Sequence, residues 1–347
     1  MPTFVYSEFL PGRILDALTE IRVSDPERAM RAAQSRRRRS RPAPTGRLNI
    51  LAADHPARRV TKVGSDPLGM ANRQRYLARV VRVLMSELVD GVMATMDILE
   101  DLLILDDLLR ESSGEGFLDQ KLLVASLNRG GLAGTAWELD DPITGPGPTA
   151  CAAWKLDGAK VLLRICDDDP ASLKTMLAAA SAITELNDLG LPTFLEPLPV
   201  AKTEKGYVVV KTADALAKTA GVASALGSSS RYLWLKLPWC ESYEVVARST
   251  TLPILVLGGE SAGDPRPFFA QLSQALSAGS NVRGALAGRN TLYPGDDDPL
   301  AAAEAVGGVI HRGWSVEEAT ASCARVRGRD VDWLCRCLAA VTAGGHS

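Results

Sequence analysis

The stretch Arg231-Tyr232-Leu233-Trp234-Leu235-Lys236-Leu237-Pro238 sets one lysine inside a run of aromatic and aliphatic residues. Bounded by Ser228-Ser229-Ser230 and by Pro238, the run fits an enclosed, pleated strand. A charged ammonium is costly to bury, so such a site lowers the lysine pKa and leaves more of it as free amine. A free amine adds to a carbonyl carbon and forms a Schiff base. The competing reading makes Lys236 simply the last strand residue, its ammonium reaching water or meeting a carboxylate.

Other polar residues also stand at the ends of apolar runs: Asp54, Asp97, Asn128, Arg164 and Glu196, with Gly258-Gly259 and Gly288-Arg289-Asn290 further on. Lys160 precedes Arg164 by four residues, so the two-residue repeat of a strand points both to the same face. Facing inward, they would share a cavity with Asp54 and Glu196. A second cation near Lys236 lowers its pKa further, and Lys160 can equally be one half of an internal ion pair. Glu196 is suited to shuttle the proton that aldol cleavage takes from a hydroxyl, or else to neutralise Lys160 or Lys236. Asp54 would orient a substrate hydroxyl or do the same neutralising. For Asp97 and Asn128 the expected role is a helix cap. Gly258, Gly259 and Gly288 can expose backbone N–H groups ahead of helices and cradle an anion, although two glycines also make a tight turn, and Arg164 is a further candidate to bind substrate or its phosphate.

The elements that must position these groups follow from periodicity. From Leu48 onward, short apolar runs alternate with helical patterns, the order of βαβ units on a parallel sheet. Strands are expected at 48–53, 91–96, 122–127, 159–165, 192–195, 232–236, 253–257 and 284–287, with a loop over 130–148 and a small hairpin within 201–211. Eight alternations over about 260 residues match an α/β fold of the (β/α)8 TIM barrel type, whose strand ends share one mouth. An open doubly wound sheet ranks second, because no GxGxxG follows the first strand. Residues 1–45 read as an N-terminal extension with helices near Leu10–Ile21 and after Asp25, and 46–312 as the barrel. Residues 313–347 read as C-terminal helices at Ser315–Ala324 and Asp330–Val341, packed on the barrel or on a partner subunit. The run Arg36-Arg37-Arg38-Arg39-Ser40-Arg41 is expected to be a solvated helix end.

A net charge of -2 argues against nucleic acid or membrane as the main partner, and no apolar run reaches spanning length. Met1-Pro2-Thr3-Phe4 lacks the order of a secretion signal, so a cytoplasmic protein is expected. Neither the six cysteines nor His55, His311 and His346 show the spacing of a metal site. The expected chemistry therefore runs on side chains without a cofactor, and a metal gathered from distant carboxylates stays open.

Ala53-Asp54-His55-Pro56, Gly158-Ala159-Lys160-Val161-Leu162-Leu163-Arg164, Phe194-Leu195-Glu196-Pro197-Leu198, Leu235-Lys236-Leu237-Pro238 and Ala287-Gly288-Arg289-Asn290 occur in that order on the matching strands. Over roughly residues 46 to 312 the chain thereby resembles the metal-independent class I aldolases of the DeoC/LacD/FbaB superfamily, and within them an actinobacterial Cgl0159-like branch associated with inositol or sugar catabolism. The resemblance implies a carbon–carbon lyase acting on a sugar or sugar-acid phosphate through a lysine Schiff base. It makes Lys236 the Schiff-base lysine, Lys160 the second active-site lysine, Glu196 the acid/base and Asp54 a substrate-binding carboxylate. Gly258, Gly259, Gly288 and Arg289 would hold the phosphate. Barrels of this sort often associate, so a homo-oligomer is expected. His55-Pro56 departs from the family pattern, as does Gly258-Gly259-Glu260-Ser261, where an inward Glu260 would repel a phosphate. Those departures motivate an alternative, a catalytically inactive barrel that binds a sugar phosphate or serves as a scaffold. A metal-dependent lyase is the third reading.

Overall fold

Inward and outward residues alternate along every central strand, and the two faces bury different sets of side chains. The computed structural model describes residues 4–204, 206–261 and 263–339. Its first strands are β1 (Leu48–Ala53), β2 (Gly91–Ala94), β3 (Leu122–Ser126) and β4 (Gly158–Ile165). They are followed by β5 (Thr193–Thr203), β6 (Gly206–Val209), β7 (Leu233–Pro238), β8 (Ile254–Leu257) and β9 (Val282–Ala287). All but β6 pair in parallel in the order β1-β2-β3-β4-β5-β7-β8-β9, and the β9 to β1 pairing closes the ring. Helices join the strands, so the fold is the (β/α)8 barrel expected. Leu48, Ile50, Met93, Leu122, Val124, Phe194, Leu255 and Leu286 fill the interior. Leu51, Val92, Leu123, Val161, Leu195, Leu235 and Val256 face outward under the helices.

That pleat decides where the charged residues go. Lys160 is paired in register with inward Phe194, while Glu196 lies two positions after Phe194, and Lys236 two after Trp234, which packs on the inner cluster. Closure also demands a glycine at 284. Its φ is +133°, and a Cβ there would lie 1.9 Å from the Leu48 carbonyl oxygen.

Two local features differ from expectation. Strand β5 does not stop at Leu195 but runs on to Thr203 and folds back on antiparallel β6, with Val200 opposite Val209. Its pairing with β7 ends at Leu195, so the missing N–H groups of Pro197 and Pro199 break no ladder on that edge. Directly at the end of the expected loop, Pro148–Ala153 forms a short helix that periodicity did not indicate, with its proline at the first position.

The arginine run is not a solvated helix end. The Arg36 side chain is 1% exposed, with Nη2 2.6 Å from Asp157 Oδ2 and Nη1 donating to the Lys121 carbonyl. Arg38 reaches the other oxygen of Asp157 at 2.8 Å, and Arg39 lies 2.8 Å from Asp90 Oδ1; only Arg37 among these four stays largely in water. Asp90 and Asp157 also accept the backbone N–H groups of Asn49 and Leu123 at the N-terminal end of the barrel. The arginines thus strap the barrel floor, because buried carboxylates there require compensation. Upstream, helices Gly12–Ser24 and Arg28–Ser35 lie along Met96–Ser113 through Arg22 to Glu100 and Asp101, and Arg28 to Asp107.

After the barrel, Val316–Val326 begins with a capping box made by Ser315 and Glu318. Trp333–Cys337 is shorter than the helix expected from 330 to 341, whose last two positions lie outside the described residues, as does His346. Cys335 Sγ donates to the Glu8 carbonyl at 3.0 Å, so this last helix packs against the N-terminal extension. No described helix is long and apolar enough to cross a membrane.

Candidate active site

Five charged side chains meet at the C-terminal end of the ring. Asp54 follows β1 directly, Arg129 lies three residues past β3, and Lys160, Glu196 and Lys236 come from β4, β5 and β7. Glu196 joins the two amines, with Oε2 2.9 Å from Lys160 Nζ and Oε1 3.0 Å from Lys236 Nζ. Lys160 Nζ also lies 3.2 Å from Asp54 Oδ2, which accepts a further bond from Ser126 Oγ at 2.8 Å. Arg129 grips Asp54 twice, with Nη2 2.5 Å from Oδ1 and Nε donating to the backbone carbonyl at 3.2 Å. All five are buried or nearly so. Asp54, Lys160, Glu196 and Lys236 are therefore brought together as the sequence suggested.

Burial works against each ionised group, and neighbouring charges decide the outcome. For Lys236, burial lowers the pKa; Glu196 and Asp54 oppose it, but Lys160 and Arg129 reinforce it, so the net shift is downward. For Glu196, burial alone would raise the pKa, yet Lys160, Lys236 and Arg129 outweigh it and bring the group down to about 2. Asp54 is likewise held well below the usual carboxylate range, against burial, by Arg129 and Lys160. The site at rest thus offers carboxylates beside an amine whose hold on its proton is weakened.

Around this cluster the remaining candidates divide. Arg164 does lie on the inner face of β4, but its guanidinium is taken by Glu138, with Nη1 2.8 Å from Oε1, and by the Gly131 carbonyl. Arg58 shares the same Glu138 oxygen at 2.5 Å. Asn128 caps no helix; it donates to the Leu162 carbonyl and accepts from the Leu162 N–H, tying β3 to β4. Asp97 is half exposed in the first turn of Met96–Ser113, paired with Arg73, and the cap position there belongs to Thr95.

On the β8 and β9 side, Gly259 has φ +66°, and the Gly258 carbonyl accepts from Asn290 Nδ2. At Gly288 a Cβ would stand 2.4 Å from the Ala52 carbonyl and 2.5 Å from His55 Cε1, so only glycine fits. His55 is pushed down to about 3 by burial, with Arg289, Arg129 and Lys236 opposing the pull of Asp54. Arg289 Nη1 lies 3.7 Å from Glu260 Oε1, and Glu260 itself is 88% exposed. A cavity of about 490 Å³ opens beside Arg129, bounded by Thr95, Ser126, Thr144 and Trp154. A second, of about 270 Å³, lies against Gly258, Gly259 and Lys211. Among the described residues no group of three or more His, Cys, Asp or Glu side chains is placed to hold a metal ion.

The residue that sequence reasoning missed is Arg129. It directly follows Asn128, which drew attention as the polar end of its strand, and the turn after β3 brings the next side chain back over the mouth.

Residues 46–307 match the Cgl0159-like family. The crystal structure of Cgl0159 from Corynebacterium glutamicum is 36% identical with a TM-score of 0.81, and the alignment covers 90% of this chain and 100% of that one. A structure described as a Schiff base forming fructose-1,6-bisphosphate aldolase shares the fold at 17% identity and a TM-score of 0.54, over 82% of this chain and 100% of that one. A Saccharolobus solfataricus protein named an uncharacterized aldolase is 33% identical over 138 residues, which cover 39% of this chain and 47% of that protein. The chain spans about half the length of the curated relatives it matches. The extent of the family match, with the shared fold over nine-tenths of the chain, places this chain in the Cgl0159-like family.

Proposed function

We propose that the protein is a class I, metal-independent aldolase that cleaves or forms a carbon–carbon bond in a ketose phosphate or sugar-acid phosphate through an iminium at Lys236. The observation that carries this reading is the sharing of one buried carboxylate, Glu196, by two amines, of which Lys236 has its pKa lowered. A relative named an uncharacterized aldolase supports it.

In the cleavage direction, neutral Lys236 Nζ adds to the ketone carbon, the carbonyl oxygen takes one proton from solvent and becomes a hydroxyl, and Glu196 takes the proton that nitrogen sheds and returns it to that departing hydroxyl. Amine, ketone and one proton give the iminium and one water. Glu196, again a carboxylate, then accepts the proton of the hydroxyl on the carbon beyond the bond to be broken. The electron pair of that bond moves into the iminium, an aldehyde leaves, and an enamine remains on Lys236. Protonation of its carbon and hydrolysis return the amine. Lys160 holds Glu196 and Asp54 in place, Asp54 binds a substrate hydroxyl, and Gly258, Gly259, Gly288 and Arg289 receive the phosphate. Arg164, spent on Glu138, supports the wall of the site and not the substrate.

Borohydride reduction in the presence of dihydroxyacetone phosphate, followed by peptide mass spectrometry, tests the central step. An adduct on Lys236 is expected. Equal trapping by a Lys236→Ala variant overturns the assignment and makes Lys160 the next candidate. The exposed Glu260 beside Arg289 favours a second reading, an inactive sugar-phosphate-binding barrel. Binding of ketose phosphates with neither turnover nor trapping would support it.

A further inference from the structure

We infer that Arg129, together with Lys160, makes the charge on Lys236 the surplus one, by completing a pair of cations against the pair of carboxylates in the buried cluster. The inference deepens the proposed aldolase reading, on which only its catalytic consequence rests.

The argument is a count of charge by contact. Asp54 after β1 and Glu196 on β5 are the two anions of the cluster, and Lys160, Lys236 and Arg129 are three potential cations. The charged groups next to it are already matched. Arg58 and Arg164 face Glu138 and Asp141, at 2.5 Å, 2.8 Å and 3.7 Å. Arg289 faces Glu260. Across the 490 Å³ cavity, Asp97 and Glu100 are paired with Arg73 and Arg22. His55, beside Asp54, stays neutral down to about pH 3.

One of the three cations is therefore surplus, and an uncompensated charge is costly in so enclosed a place. A guanidinium does not give up its proton. Lys160 Nζ touches both carboxylates, whereas Lys236 Nζ meets a single oxygen of one. The surplus proton is thus the one on Lys236. By pairing with Asp54, Arg129 leaves Lys160 and Glu196 to neutralise each other.

The charge count is tested without any substrate. The full chain is labelled with formaldehyde and cyanoborohydride across a pH series, and peptide mass spectrometry gives the midpoint at which Lys236 becomes reactive. Arg129→Gln leaves the cluster one cation short, so the midpoint is expected to rise by about one unit, with labelling lost at pH values between the two midpoints. Arg129→Lys keeps the charge and is expected to hold the midpoint close to the parent value. Asp54→Asn removes an anion and is expected to move the midpoint the opposite way, downward. An Arg129→Gln variant that melts earlier but keeps the parent midpoint would reduce Arg129 to a structural brace and overturn the inference. If that variant does not fold, an unmoved or raised midpoint in Asp54→Asn overturns it equally. Failure to trap a ketose on the parent protein would instead strike the aldolase reading and leave this titration decisive on its own.

Discussion

Lys236 Nζ lies 3.0 Å from one oxygen of Glu196, and the other oxygen of that carboxylate is held by Lys160 at 2.9 Å. One side chain thereby faces the amine that would bond to substrate and is itself fixed from behind. Glu196→Gln keeps the shape but loses the proton acceptor, so kcat is expected to fall about 10²- to 10⁴-fold, and the melting temperature is expected to fall as well because two buried amines lose their shared counter-ion. Steady-state kinetics with thermal melting checks this. A large loss of stability with no specific loss of turnover would make Glu196 a purely structural counter-ion.

Acid should destabilise the protein over a wide range. His55 has an ordinary pKa of 6.5 and about 3 when folded, so between those values the unfolded chain binds a proton that the folded one does not, and stability drops as pH falls. Glu196, ordinarily at 4.5 and about 2 when folded, stabilises the fold above 4.5, and that contribution is lost as pH falls towards 2. Both signs agree. Urea midpoints measured at pH 7, 5.5 and 4 are expected to fall steadily, and replacing His55 with Asn should flatten the part above pH 4.5.

The floor strap should matter more for folding than its exposed sequence pattern suggests. Arg36→Ala strands part of buried Asp157, and removing one partner of such a pair costs about 3–5 kcal/mol. Arg37→Ala, at a side chain 75% exposed, should stay within about 0.5 kcal/mol of the parent. Urea unfolding of the two variants gives the comparison directly; equal midpoints would return the run to the solvated role that composition implied.

Why the sequence disclosed the lysines but not the strap comes down to locality. Lys160, Glu196 and Lys236 sit on strands whose two-residue repeat fixes the side they face, so their meeting follows once the ring is closed. The partners of Arg36 and Arg39 lie 121 and 51 positions away, and no periodicity links an extension to the floor of a barrel. Arg129 was obscured for the same reason. A side chain on a turn has no repeat to orient it, and only its contact with Asp54, 75 positions earlier, reveals its place.

The phosphate assignment can be separated from the chemistry at Lys236 through Glu260. Its carboxylate lies 3.7 Å from Arg289 Nη1 and is otherwise in water, so a phosphate arriving at Arg289 meets a like charge that must move away. Glu260→Gln removes that opposition and is expected to lower KM for a phosphorylated ketose about threefold, an effect of the size exposed ion pairs allow, and to fade at high salt. The unphosphorylated sugar should respond to neither change, since it brings no second anion to the rim. Arg289→Ala should raise KM for the phosphorylated substrate alone. Were both variants to shift the two substrates equally, Arg289 would lie outside the phosphate site, and the cavity beside Gly258, Gly259 and Lys211 would become the place to look for the anion.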